Sequence, residues 1–211
     1  MARRCGRPAK GAELTDSRQK IIDTAVRIIR EQGAGCVTVR HICESSGLSI
    51  GTFYHYFRDK DDLMMYFVRV IDFDALALQA DADRVGDRQC ELYMHLIKQY
   101  VQLGDDFMKK FYTTDNCSLS AYMGEQNGNY SAGTVMARSE RELRGAQQAG
   151  RLYKEADVHL LAMDICTIVK GCVFEWCLNG GAFSIEDSLR RIINNYLTPY
   201  LQDRPKHIGQ A

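Results

Sequence analysis

Residues 38–63 read TVRHICESSGLSIGTFYHYFRDKDDL: two short helical patterns joined by a glycine turn, with a third pattern starting at the end. Thr38 is a natural N-cap for a helix that buries Val39, Ile42 and Cys43. SSGLS makes a tight turn around Gly47, and Ser49 caps a second helix. Asp59 caps a third, with Asp61 and Asp62 in its first turn, where carboxylates favour the helix dipole. Two short helices joined this way form a helix-turn-helix, whose second helix fits a DNA major groove. That second helix carries Phe53, Tyr54, His55, Tyr56 and Phe57 in succession, and five rings in a row cannot all enter one core. Phe53 and Phe57 lie four apart and share a face, so they are expected to pack inward. His55 and Tyr56 then point away from that face, with Tyr54 about a quarter-turn from Phe53. Their polar tips suit contact with phosphate oxygens. Gly51 lets another backbone approach, Thr52 offers a hydroxyl beside it, and Lys60 can share a phosphate with the free N–H groups of its helix.

The flanking sequence is helical. Residues 16–32 place Ile21, Ile22, Ala25, Val26, Ile28 and Ile29 on one stripe, closed by Gly33. Helical periods recur from about residue 87, around 134–149, over 158–177 and from Ser184 onward, with a polar, partly looped stretch at 113–133. No sustained alternation occurs, so the expected class is all-α with about nine helices. The expected organisation is a flexible basic arm (1–14), a three-helix DNA-binding domain (15–65), a second helical domain (66–203) and a tail (204–211). The helix starting at Lys60 is expected to run on past Val70.

The chain has 211 residues and equal numbers of basic and acidic residues, 27 each. Residues 1–70 nevertheless hold twelve basic against eight acidic side chains, and the rest is correspondingly acidic. A basic N-terminal part on a neutral chain points to a polyanion partner. No apolar leader and no apolar run near ~18 residues occurs, which argues against secretion and membrane spans and for a cytoplasmic location. The eight cysteines are scattered without paired spacing, so no metal or cofactor is expected. No phosphate loop or nucleophile motif argues for an enzyme.

Thr38, Arg40, Ile42, Gly47, Ser49, Gly51, Tyr54, Tyr56, Phe57, Lys60 and Leu63 together resemble the DNA-binding signature of the TetR family of bacterial transcriptional regulators. Cys43 departs from the pattern, standing where a small alanine is common. The arm, CGRPAKG, is similar to a minor-groove hook, with Cys5 where an arginine would strengthen it. The resemblance implies that Thr38, Arg40, Ser49, Gly51, Thr52, Tyr54, His55, Tyr56 and Lys60 face double-stranded operator DNA. Thr52, with Tyr54 and His55, would reach base edges, whereas Thr38, Tyr56 and Lys60 would hold phosphates. It further implies a homodimer built on the last two long helices, for which Val169, Val173, Leu189, Ile192, Ile193 and Tyr196 are the candidates. It also implies a small apolar or aromatic effector, with Tyr93, Phe107, Phe111, Tyr122, Asp164 and Trp176 as candidate lining. The function so implied is repression of a pseudo-palindromic operator, relieved by the effector. Two alternatives remain beside it. One is a thiol-based redox sensor using Cys166, Cys172 or Cys177. Cys166 and Cys177 stand ~16 Å apart along one helix, too far for a disulfide within it. The other is a ligand-free helical interaction module.

Overall fold

A computed structural model describes residues 10–101, 103–111 and 117–202. Among these, ten α-helices carry the fold: α1 (Lys10–Gln32), α2 (Val39–Ser46), α3 (Ile50–Tyr56), α4 (Lys60–Arg69), α5 (Val85–Val101), α6 (Asp105–Phe111), α7 (Cys117–Met123), α8 (Val135–Gln148), α9 (Val158–Leu178) and α10 (Ile185–Leu197). A two-stranded hairpin, β1 (Glu125–Gln126) and β2 (Asn129–Tyr130), is the only sheet among the described residues.

Helix α1 begins at Lys10, earlier than the sequence pattern suggests, so residues 10–14 belong to the helix and not to an arm. Ala12, Glu13 and Leu14 all favour helix, and the next proline after Pro8 is Pro199, far beyond this helix. Residues 1–9, with most of the proposed hook, and the tail at 204–211 lie outside the described residues. Ile21, Ile22, Ala25, Ile28 and Ile29 of α1 are buried, and α2 and α3 pack against that stripe. Arg18 lies over the rings of Phe57 and Tyr66, at 5.8 and 5.0 Å from their centroids, tying α1 to α3 and α4.

Helix α4 does not continue past Val70. Residues 71–84 form an irregular strap whose backbone is held by side chains. The Asp72 carboxylate accepts the N–H groups of Asp74 and Ala75, and Glu91 accepts those of Gln79 and Ala80. The Arg138 guanidinium, from α8, donates to the carbonyl oxygens of Phe73, Asp74 and Leu76 at 2.9, 3.0 and 3.1 Å. Arg88 donates to the carbonyl of Ala80. These bonds replace the helical ones, and Phe73 is fully buried as the strap's anchor. The polar stretch at 113–133 likewise contains α7 and the hairpin as well as turns.

The second domain stacks α5 between α8 and α10, with α9 packed on both. Leu92, Tyr93, Leu96, Ile97 and Tyr100 of α5 fill the centre. A hydrogen-bonded node joins α5 to α10: buried Asp87 accepts from Arg84, Arg190 and Asn194. Helix α9 is apolar nearly all round, and its two sides have different fates. Val169 and Val173, with Leu189 and Ile193 of α10, lie inside the protomer at 2% exposure or less, so they cannot meet a partner as expected from the sequence. Ile192 and Tyr196 are half-buried, while Leu160, Met163, Phe174 and Leu178 of α9 are exposed.

Candidate nucleic-acid interface

Local capping sets the geometry of α2 and α3. Thr38 Oγ1 accepts the N–H of His41 at 3.1 Å and starts α2. Gly47 ends it in the left-handed region, at φ +69°, where glycine carries no Cβ penalty, and the N–H groups of Gly47 and Leu48 both reach the carbonyl of Cys43. Ser49 Oγ accepts the N–H of Thr52 at 3.0 Å and shares a second hydrogen bond, 2.8 Å, with the Thr52 hydroxyl. Asp59 caps α4 through the N–H of Asp62 at 2.7 Å.

The ring cluster divides as the helical period requires. Phe53 and Phe57 are buried against α1, while Tyr54 is 56% exposed and His55 is also exposed. Tyr56 is half-buried, edge-on to His55 at 4.8 Å. Thr52 is half-buried in the first turn of α3, beside exposed Gly51. A Cβ added at Gly51 would meet only Ser49 Oγ, at 3.6 Å, so no contact inside the protein requires glycine there. Lys60 is exposed at the first position of α4, and Arg40 is exposed with its Nε bonded to Glu44 at 2.7 Å. Thr38 and Ser49 are exposed residues whose oxygens are already committed to caps. Ile50, unexpected from the sequence, is 52% exposed at the head of α3, an apolar group on a polar surface. Its exposure was hidden because an isoleucine beside a cap reads as core.

The three-helix head is docked on the second domain. α6 packs on the short 3-10 turn Ala34–Cys36, and Arg58 donates to the Ser118 hydroxyl of α7 at 3.0 Å.

The six candidate effector residues do not converge. Phe107 and Phe111 stack with Tyr100 in a packed aromatic cluster. Tyr93 is fully buried, its hydroxyl 3.3 Å from the Met136 sulfur, and Tyr122 is half-buried on α7. Asp164 accepts the Tyr196 hydroxyl at 2.6 Å, and Trp176 covers Gly181. A cavity of about 340 Å³ lies elsewhere, beneath the hairpin between α8 and α9, and none of the six lines it. Its wall is built from Met123, Met136 and Met163, which come from three separate helices and leave no sequence pattern.

Cys166, Cys172 and Cys177 are free and buried, and burial pushes the thiols of Cys166 and Cys172 up, away from the reactive thiolate a redox sensor needs. Among the described residues no group of His, Cys, Asp and Glu could hold a metal, and no helix is long and apolar enough to cross a membrane.

Residues 21–66 match the model for bacterial regulatory proteins of the tetR family. The chain is 39% identical over 61 residues to the transcriptional repressor AcnR of Corynebacterium glutamicum, covering 29% of this chain and only 32% of that one. It is 27% identical to the transcriptional regulator BetI of Stenotrophomonas maltophilia, over 92% of this chain and 97% of that one. Its fold is similar to that of SmeT, the repressor of a Stenotrophomonas maltophilia multidrug efflux pump, in its complex with triclosan, with a TM-score of 0.61, 18% identity and coverage of 93% and 98%. These relatives are named as transcriptional regulators and none as an enzyme, and the redox alternative finds no support among them. With the signature of residues 38–63 set on a helix-turn-helix of this geometry, residues 21–66 carry a DNA-binding head that matches the tetR family of bacterial regulatory proteins.

Proposed function

We propose that the protein is a cytoplasmic homodimeric repressor that binds a pseudo-palindromic operator and is released by a small effector. The observation that carries this reading is α3: anchored by Phe53 and Phe57, it turns Thr52, Tyr54 and His55 outward beside the exposed Lys60. In this reading Tyr56, Lys60 and Arg40 hold phosphates, and Thr52, Tyr54, His55 and Ile50 face base edges. The partner protomer packs on the exposed apolar side of α9, at Leu160, Phe174 and Leu178, flanked by Ile192 and Tyr196 of α10. That pairing sets the two heads about one DNA turn apart, ~34 Å, or a multiple of it. The repressor name of AcnR and the triclosan complex of SmeT support the sign and the effector class. Because α4 stops at Arg69, a change in the second domain reaches the heads through the strap, the packing of α4 on α5 and α7, and the α6 and Arg58 contacts, not along one continuous helix. By linkage, operator DNA weakens effector binding by the factor with which the effector weakens operator binding. Selection of duplexes from a random pool by the full chain tests the reading. A paired-half-site consensus is the expected result, and retention without sequence preference would refute it.

A further inference from the structure

The 340 Å³ cavity sits within the ~300–1,000 Å³ range of small-molecule sites. Its body is apolar. Met123 and Met136 are nearly inaccessible, and Met163 stands 41% exposed at the mouth. Methionine is flexible and polarisable, so such a wall accepts hydrocarbon of varied shape, aromatic rings included. One end is polar. Tyr130, on β2, has a hydroxyl that is buried and has no hydrogen-bond partner among the described residues. Leaving such a group unsatisfied costs free energy, so the site calls for a partner from outside the chain. Cys166 lines the same cavity, close to both that hydroxyl and Lys170, which stands one turn further along α9. The Lys170 ammonium pairs with no carboxylate among the described residues. The other charge on the wall, Glu125, is already engaged, accepting from His159 Nε2 at 3.0 Å.

From this arrangement we infer that the cavity binds an apolar acid, a hydrocarbon body lying on the methionines with its single anionic head on Lys170 and the Tyr130 hydroxyl. The inference deepens the effector-released reading, since it names the chemical class of the effector and the group that selects it. It also sets the direction of discrimination. The methionine wall chooses little by shape, so charge at Lys170 does the choosing. A neutral alcohol of the same body leaves the ammonium and the tyrosine hydroxyl poorly served.

Calorimetry of the full chain with 4-phenylbutyrate, 4-phenylbutanol and 4-phenylbutylamine tests this without DNA. The acid is expected to bind about tenfold or more tighter than the alcohol, the scale of one charge-assisted hydrogen-bond set. Lys170→Met should erase that preference, and Lys170→Glu should transfer it to the amine. Tyr130→Phe should weaken the acid about fivefold while leaving the alcohol within about twofold. Lys170 is exposed, so these charge variants should fold as the parent does. Equal binding of acid and alcohol by the parent chain, or an acid preference that survives Lys170→Met, overturns the inference. So does the absence of heat with every probe. Duplex selection by the parent chain is read separately, so a failed ligand class and a failed DNA-binding reading give different results.

Discussion

Arg138 should be among the costliest surface-adjacent side chains to remove. Its guanidinium serves three strap carbonyls and, through Nε, the Glu142 carboxylate at 2.8 Å. Only 11% of the side chain is exposed. The bonds to Phe73 and Leu76 are partly buried, whereas that to Asp74 is exposed and water can replace it. Glu142 keeps Arg88 as a partner at 2.7 Å, so its own charge is not orphaned. Two shielded charge-assisted bonds at about 1.5 kcal/mol each give a loss of about 3 kcal/mol for Arg138→Met, which preserves most of the apolar stem. Arg138→Lys should recover only a minor part, because one ammonium cannot span three carbonyls in a fork. Urea unfolding of the full chain at fixed protein concentration measures both. The strap should also loosen first, read as faster amide exchange at Asp74 and Ala75. A loss below about 1 kcal/mol for Arg138→Met, or Arg138→Lys matching the parent, would show that the strap is held by Phe73 and not by these bonds.

Other outcomes follow from the same geometry. Lys60→Ala should weaken binding to operator and scrambled duplex alike and lower the salt slope by about one ion, whereas Thr52→Ala should change sequence preference; an unchanged salt slope for Lys60→Ala would remove it from the phosphate group. Phe174→Arg should give a folded monomer by sedimentation, because the residue is 60% exposed in the protomer, while Val169→Arg should fail to fold; a Phe174→Arg dimer of parental affinity would put the interface elsewhere. His159 sits between Glu140 at 3.1 Å and Glu125 at 3.0 Å, and the Glu140 bond in particular raises its pKa above the ordinary 6.5. That contribution is complete below the unfolded value and is lost as pH rises through the folded one. It is partly solvent-screened and worth about 0.5 kcal/mol. Melting temperatures from about pH 6 to 8 should therefore fall more for the parent than for His159→Gln, and parallel curves would count against the clasp.

The head was legible because its rules are local. Thr38, Gly47, Ser49 and Asp59 act on groups within a few residues, and the four-residue spacing of Phe53 and Phe57 needs no knowledge of the rest of the chain. The end of α4 was not legible. Residues 64–78 read as a mostly apolar run broken by Arg69, Asp72 and Asp74, and the groups that hold the chain out of a helix there include Arg138, more than sixty residues away. Helix α9 hid its orientation for another reason. Valines and phenylalanine occur all round it, so periodicity cannot separate inward Val169 and Val173 from outward Phe174 and Leu178. The cavity wall escaped because Met123, Met136 and Met163 meet only in three dimensions. Aromatic side chains drew the reading toward Phe107 and Phe111, which are packing.

The shared hydrogen bond between Ser49 and Thr52 carries a consequence for operator choice. Either oxygen can be its donor. If Ser49 donates, the Thr52 hydrogen is free to turn toward the groove and address an acceptor such as guanine O6 or thymine O4. If Thr52 donates, only its lone pairs remain, and they suit the amino group of adenine or cytosine. One proton's position, inside a cap that also holds the first turn of α3 together, thus selects between two classes of base edge. In the proposed complex, an operator that demands the less stable proton arrangement is bound more weakly by that difference, while the cap from Thr52 N–H to Ser49 is kept in either arrangement.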